Sequence, residues 1–130
     1  MRNLFSPPVE EEVCSFELSK RLKELGVPQR SIFFWQELAE GNIRLGHGQH
    51  PDSGDLAIHH CVLSFEYSAF TVNELGEMLP YYFSSEKHSK QWRVGMIKEG
   101  KADMWGAGRK EADARANAKI YLIENKIDHL

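Results

Sequence analysis

The strongest constraint on the fold is a helix whose two ends are both marked in the sequence. Thr71 and Glu74 form the T-x-x-E pattern of a capping box, in which each side chain accepts a hydrogen bond from a free backbone N–H at the start of a helix. Phe70, directly before the cap, has the spacing of a hydrophobic staple. Pro80 disfavours helical backbone at the residue before it. The pattern therefore predicts a helix over residues 72–79.

A tight turn follows at residues 99–100, where the sequence is Glu-Gly. Glycine supplies the positive φ that a two-residue hairpin turn needs. The flanking residues 91–98 and 101–106 are therefore predicted to be antiparallel strands. Counting outward from the turn places Val94 opposite Trp105, and a glycine inside the first strand is typical of close packing or a bulge.

Residues 16–25 are predicted to form the first helix, because leucines recur at i, i+4 and i+7 on one face. Ser15 is a suitable N-cap. Gly26 can adopt the left-handed conformation that ends a helix, and Val27 would then pack on Leu22, as in a Schellman ending.

The last predicted helix covers residues 109–125 and is rich in alanine. Alanines on a helix face let another backbone approach closely. Its predicted buried stripe consists of Ala112, Ala116, Ile120, Ile123 and Ile127.

Strand signals dominate the first half of the chain. Residues 31–37 are aromatic and β-branched, which is typical of a strand. The Gly-Asn sequence at 41–42 predicts a turn, with a returning strand at 43–45. The glycine-rich segment 46–56 is predicted to be a loop, and 57–65 a further strand.

These elements predict an α+β fold. A chain of 130 residues is the size of one domain, so residues 1–130 are expected to form a single domain. The expected architecture is a single antiparallel sheet with about three helices, in the order α-β-β(-β)-α-β-β-α. Residues 1–13 are expected to form an extended lead-in, because two prolines precede a solvated glutamate run.

Composition excludes several classes of protein. The net charge of −3 disfavours a sequence-blind nucleic-acid binder, which is usually basic. Cys14 and Cys61 are too few for a disulfide framework. The first residues lack the apolar core of a signal peptide, and no apolar run is long enough for a membrane span. The sequence therefore predicts a cytoplasmic protein that does not enter a membrane.

A polar segment in the first half contains atom types that bind zinc. Its candidate ligands are His47, His50, Asp52 and His59. The His-x-x-His spacing in a loop is permissive, and no paired Cys-x-x-Cys accompanies it. The alternative is a polar surface loop that leads into a strand, and no cofactor is required.

The segment 106–115, which leads from a strand into the last helix, resembles the last part of the double-stranded-RNA-binding domain. In that family a glycine-containing turn and basic residues precede an alanine-rich helix that holds phosphate groups. The basic residues that this hypothesis uses are Arg93, Arg109, Lys110 and Arg115. Asp113 stands where a second basic residue is wanted, so an alanine-rich packing helix is the alternative.

Aromatic residues on the predicted strands have two interpretations. They are Phe33, Phe34, Trp35, Trp92 and Trp105. Such side chains can stack on bases or on a ligand. They more often fill a core, because aromatic side chains dominate core burial, and we favour that interpretation.

Residues 18–27, 69–80 and 111–126 together resemble small uncharacterised proteins of bacteriophages, prophages and other mobile elements. The shared pattern is a helix, a hairpin that begins with tryptophan, and an alanine-rich helix that ends in Leu-Ile-Glu-Asn-Lys. It is also loosely similar to the phage α-β-α sandwich domain. The resemblance implies a phage origin and an accessory role, and it assigns no catalytic residue.

The sequence thus favours a small, non-enzymatic binding or accessory protein, because its strong signals are all structural. A protein partner or a second copy of the chain fits this interpretation. The alternatives are a nucleic-acid-binding module and a metal-binding protein that uses the His47–His60 segment.

Overall fold

The computed structural model describes residues 9–38, 41–47, 65–98 and 100–126. These ranges contain both helices and antiparallel strands, which confirms the predicted α+β class. In chain order, the elements are α1 Val9–Glu12, α2 Phe16–Glu24, β1 Phe33–Glu37, β2 Ile43–His47, β3 Phe65–Ser68, α3 Val72–Glu77, β4 Ser84–His88, β5 Gln91–Lys98, β6 Lys101–Gly108 and α4 Glu111–Glu124.

The described strands form two three-stranded sheets, so the prediction of a single sheet is wrong. The first sheet has the order β2-β1-β3 and the second has the order β4-β5-β6. Helix α2 packs on the first sheet, where the Phe16 ring meets the Trp35 and Tyr67 rings edge to face. Helix α4 packs on the second sheet, and α2 and α4 pack on each other. Because two helices separate the sheets, their strands cannot pair into one.

In the first half of the chain, the first predicted helix is confirmed as α2, which begins at Phe16 as predicted, and the prediction for the residues before it is corrected. Gly26 has a φ of +92°, and the Val27 N–H donates to the Leu22 carbonyl at 3.0 Å, as in a Schellman ending. Residues 9–12 are helical, so the extended lead-in is wrong there. The exposed glutamates lie in the first turn of this short helix, where the helix dipole favours negative charge.

The capping box around α3 is present as predicted. The Thr71 N–H donates to Glu74 Oε1 at 2.8 Å, and the Glu74 N–H donates to Thr71 Oγ1 at 3.1 Å. The helix ends at Glu77, two residues before the predicted end. Strand β4, which was not predicted, follows it, so the second half has the order α-β-β-β-α.

The hairpin of β5 and β6 contains a bulge. Pairing runs from the turn as predicted, with Ile97 opposite Ala102, and then shifts between Val94 and Gly95. Val94 lies opposite Gly106 and not opposite Trp105, so the predicted register is wrong beyond the shift. The extra residue on β6 is Trp105, whose side chain is buried against α4.

Helix α4 is buried on two sides. The predicted stripe side, with Ala112, Ala116 and Ile120, packs in one core cluster with α2 and α3. A second side was not predicted and packs against β5 and β6. Its buried residues are Ala114, Ala118 and Leu122.

Several predictions concern residues outside the described ranges. Of the predicted loop 46–56, only Gly46 and His47 are described, and both belong to β2, so the loop prediction is wrong at these two residues; residues 48–56 lie outside the described ranges. Of the predicted strand 57–65, only Phe65 is described, and it begins β3.

Candidate functional site

Of the four predicted metal ligands, one, His47, belongs to the residues that the structure describes. His47 lies in β2 with its ring centre 6.0 Å from that of Phe33, in an edge-on arrangement. His50, Asp52 and His59 lie outside the described residues. Within the described ranges, no three His, Cys, Asp or Glu side chains converge as metal ligands would. Zinc binding stays a prediction.

Lys110, one of the predicted phosphate-binding residues, directs its ammonium group to the backbone of α1. Nζ donates to the carbonyl oxygens of Glu10 at 2.7 Å and Val13 at 2.9 Å. Carbonyls at the end of a helix lack helical partners. The Lys110 ammonium therefore stabilises the end of α1 and is less available to an outside anion.

Arg115 is enclosed between α3, α4 and the start of β4. Nη1 donates to the Val72 carbonyl and Nη2 to Glu111 Oε2, both at 2.8 Å. The guanidinium carbon lies 4.9 Å from the centre of the Phe83 ring, and 14% of the side chain is exposed. The charge of Arg115 is matched inside the protein, so the residue presents little of it at the surface.

Arg93 and Arg109 are the exposed members of the predicted basic set. Arg93 points away from α4, whereas Lys110 and Arg115 are on the helix side of the sheet. Arg109 lies just past the end of β6. The fold therefore does not gather the four residues on one basic surface.

Cys14 is a core residue. Its side chain has no exposed surface, and Sγ lies 3.1 Å from Ser19 Oγ. Burial raises the pKa of the Cys14 thiol to about 11. A thiol that stays protonated and has no access to solvent is not a nucleophile. Cys61 lies outside the described residues.

The predicted aromatic set is largely packed. Trp105 is 5% exposed, which confirms its core assignment, and Trp92 packs on the same cluster. Trp35 Nε1 donates to the Cys14 carbonyl at 2.8 Å, and Phe33 and Phe34 are half-buried. Trp105 and Trp92 therefore hold the second sheet to α4, and Trp35 contacts Phe16 of α2, whereas the Phe33 ring packs on His47 within the first sheet.

One face of the second sheet packs on α4, and no described helix or strand packs on the other. Val94 and Trp105 point toward α4. Cross-strand partners share a face, and the alternate positions along β5 point the opposite way. We call this second surface the outer face. Its residues are Ser84, Glu86, His88, Gln91, Arg93, Gly95, Ile97, Ala102, Met104 and Ala107.

Large apolar side chains are exposed at one end of this sheet, which we call the apolar end. Ile97 is 69% and Met104 is 55% exposed on the outer face. Tyr81, which is 93% exposed, stacks edge-on against Tyr82 in the turn before β4, with ring centres 5.2 Å apart. Strand β4 begins opposite Gly95, so this turn lies at the Ile97 end. Four of the six large apolar side chains exposed in the described residues therefore lie here.

The opposite end of the outer face is charged. Glu86 and Arg93 are cross-strand partners, and His88 Nε2 lies 3.1 Å from Glu86 Oε2. The Arg93 side chain makes no hydrogen bond or salt bridge with any described residue. A shallow depression of about 350 Å³, with Gly95 among its lining residues, lies between the two ends.

A second recess lies between the helices. It has a volume of about 630 Å³ and an apolar floor that includes Val27, Phe70 and Ile123. Glu77 from α3 and Lys119 from α4 line its rim, so charges of both signs surround it. This mixture selects no single class of ligand.

Sequence reasoning did not identify the outer face as a site. The signal was present in the alternation of the hairpin: positions 95 and 97 lie opposite positions 104 and 102, and all four are small or apolar. An apolar set on the face opposite Val94 predicts a second contact surface. The missing information was that nothing in the described chain covers this face.

No described helix is long and apolar enough to cross a bilayer. Comparisons with protein-family models, with curated proteins and with solved structures find no match.

Proposed function

We propose that this protein is a small, non-enzymatic binding protein that uses the outer face of its second sheet to bind another protein. The observation that carries the proposal is the concentration of exposed large apolar side chains at the apolar end. Contiguous exposed apolar surface on a soluble protein typically marks a site of protein interaction.

The composition of the surface supports a protein as the ligand. Tyrosine, methionine and arginine are enriched in protein interfaces, and the apolar end with Arg93 contains all three. Aromatic side chains near the centre of an interface often contribute most of the binding energy. Glu86 and Arg93, at the other end of the outer face, would orient the partner, because complementary charges affect how two surfaces align more than how tightly they bind.

Nucleic-acid binding is a weaker hypothesis. It needs free cationic groups on one surface to displace counterions from phosphates. The Lys110 ammonium donates to two backbone carbonyls, and Arg115 is paired with Glu111. Of the four residues in the predicted basic set, Arg93 and Arg109 are exposed, and the chain as a whole has a net charge of −3.

Site-specific photo-cross-linking in the native host cells tests the proposal. A photoreactive residue replaces Ile97 in one variant and Ile32 in the control. Ile32 is the same residue type, is 59% exposed, and precedes β1 in the other sheet. We expect discrete protein adducts from position 97 and none from position 32. The proposal fails if position 97 yields no adduct, or if both positions yield the same adducts.

A phage or mobile-element origin and a cytoplasmic location are part of the same proposal. They are supported by the resemblance of the capping and packing motifs to small phage proteins, and by the free, buried thiol of Cys14. A gene neighbourhood without phage or mobile-element genes would contradict the origin.

A further inference from the structure

We infer that the occupant of the outer face is a second copy of this chain, in a symmetric dimer with the two sheets packed face to face. This inference rests on the proposed function and names its partner. A two-fold interface must be complementary to itself, because each contact is made twice with the roles exchanged. The relief and the charge of the outer face both meet this requirement.

The relief of the outer face combines large and small residues. Ile97 and Met104 project from the apolar end, and the depression that the small side chain of Ala102 helps to line lies beside them. Two sheets pack about 10 Å apart when their side chains interdigitate. A two-fold axis parallel to β5 lays β4 of one copy over β6 of the other. Met104 then faces Ser84 of the second copy, so a large side chain meets a small one, and Ile97 on the central strand meets Ile97 of the second copy in an apolar contact.

The charge of the outer face is balanced, although the chain as a whole carries −3. Glu86 and Arg93 are its two charged residues when His88 is neutral. The same axis runs over β5, so the two Arg93 side chains lie opposite each other with the Glu86 carboxylates of both copies beside them, and each cation is within reach of Glu86 of the second copy. Arg93 makes no salt bridge with a described residue of its own chain, so its charge is available for this contact.

The size of the face predicts a dimer of modest affinity. Strands of eight residues extend about 26 Å, and three strands span about 14 Å, including the width of the outer strands. This footprint is roughly 360 Å² on each copy, about half of the ~800 Å² per partner in a standard interface, and it places the contact among weak, transient ones. We therefore expect dissociation in the high micromolar range, where dimer and monomer are both measurable.

Charge reversal tests the inference. Sedimentation equilibrium at protein concentrations from low to high micromolar measures the dimerisation of each variant. Arg93→Glu places four carboxylates together in its own dimer, and Glu86→Arg places four cations together. We expect each variant to dimerise at least about tenfold more weakly than the wild type, because like charges oppose contact. An equimolar mixture of the two variants restores opposite charges and is expected to regain the wild-type affinity as a heterodimer.

Each variant carries a like-charge pair across β4 and β5 of its own chain, and this pair is unchanged in the mixture. A loss of dimer that came from lower stability of the variants would therefore persist in the mixture, whereas a loss that came from repulsion between the copies is reversed. Ile97→Asp is expected to abolish the dimer, and the matched Ile32→Asp to leave it unchanged. A wild-type protein that is monomeric throughout, or a mixture that stays monomeric, overturns the inference.

The two proposals fail separately. A cross-linked adduct at position 97 with twice the monomer mass supports both. An adduct with a different protein, together with a monomeric wild type, preserves the proposed function and removes the second copy as its partner. The absence of both an adduct and a dimer removes both proposals.

Discussion

At the scale of single residues, the Arg115 guanidinium joins three elements through one planar group. It donates to the Val72 carbonyl of α3 and to Glu111 of α4, and Glu111 also accepts a hydrogen bond from Ser85 of β4 at 2.8 Å. Gly76 leaves room for it, because a Cβ there would lie 2.5 Å from Nη1. Glycine inside a helix costs about 1 kcal/mol relative to alanine. The glycine at position 76 is explained by the Arg115 side chain, which lies where a Cβ would project.

We predict that Arg115→Met lowers the free energy of unfolding by about 2 kcal/mol, because it leaves the half-buried Glu111 carboxylate without its cation. The matched control is Arg21→Met. Arg21 pairs with Glu124 at the surface, where 44% and 43% of the two side chains are exposed. That change is expected to leave the free energy of unfolding nearly unchanged, because an exposed ion pair is screened by water and contributes little to stability. Urea denaturation measures both, and equal losses would contradict the structural role of Arg115.

At the scale of elements, α4 lies directly on the backbone of β6. A Cβ at Gly106 would lie 2.3 Å from the Ala118 nitrogen and 2.6 Å from the Ala114 oxygen. Ala114 and Ala118 have no exposed surface. The contact between helix and strand therefore depends on a glycine on one side and alanines on the other. Larger side chains around it, such as Trp105, fill the remaining space.

We predict that Gly106→Ala destabilises the protein by about 3 kcal/mol, because rigid backbone on the facing helix cannot yield to the added methyl group. Ala107→Ser is the control, since Ala107 is the next residue and lies on the outer face. A surface change of this kind is expected to stay within about 0.5 kcal/mol. Thermal unfolding followed by circular dichroism compares the two. A stable Gly106→Ala variant would show that α4 is not held at this distance.

At the scale of the whole molecule, the described elements form the layer sequence sheet, helix, helix, sheet. The two core clusters meet in α4, whose opposite sides contribute Ala116 to the first cluster and Ala118 to the second. The first cluster also contains Leu22 of α2 and Leu75 of α3. Neither cluster is complete without α4, so loss of packing in one is expected to weaken the other.

We predict that Leu22→Ala, at a site with no exposed surface, lowers the free energy of unfolding by about 2–5 kcal/mol. Because α4 links the clusters, the free energy of opening measured by hydrogen exchange is expected to fall by the same amount for amides of β1 and of β5. Leu25→Ala, at a partly buried site, serves as the milder control. Loss of protection in β1 alone would show that the two sheets unfold independently.

Much of the local structure was predictable because its causes are local. The capping box at Thr71, the Schellman ending at Gly26 and the tight turn at Gly100 each depend on neighbouring residues. Strand β4 was missed because its sequence, Ser-Ser-Glu-Lys-His, shows no apolar alternation. It is a strand through its pairing with β5 across the two-residue turn Ser89-Lys90. That turn lacks the glycine or asparagine that usually marks a tight hairpin, although Ser89 adopts the positive φ of +60° that such a turn needs.

The amino-acid order was sufficient for the α+β class, for most helix ends and for the hairpin, since backbone sterics and capping act within a few residues. It was not sufficient for the number of sheets, for the second buried side of α4 or for the placement of the predicted basic residues. Those depend on which surfaces meet. The same alternation of apolar residues is compatible with a covered face and with an open one, and the packing of α4 on a single side of β4-β5-β6 left Ile97 and Met104 exposed.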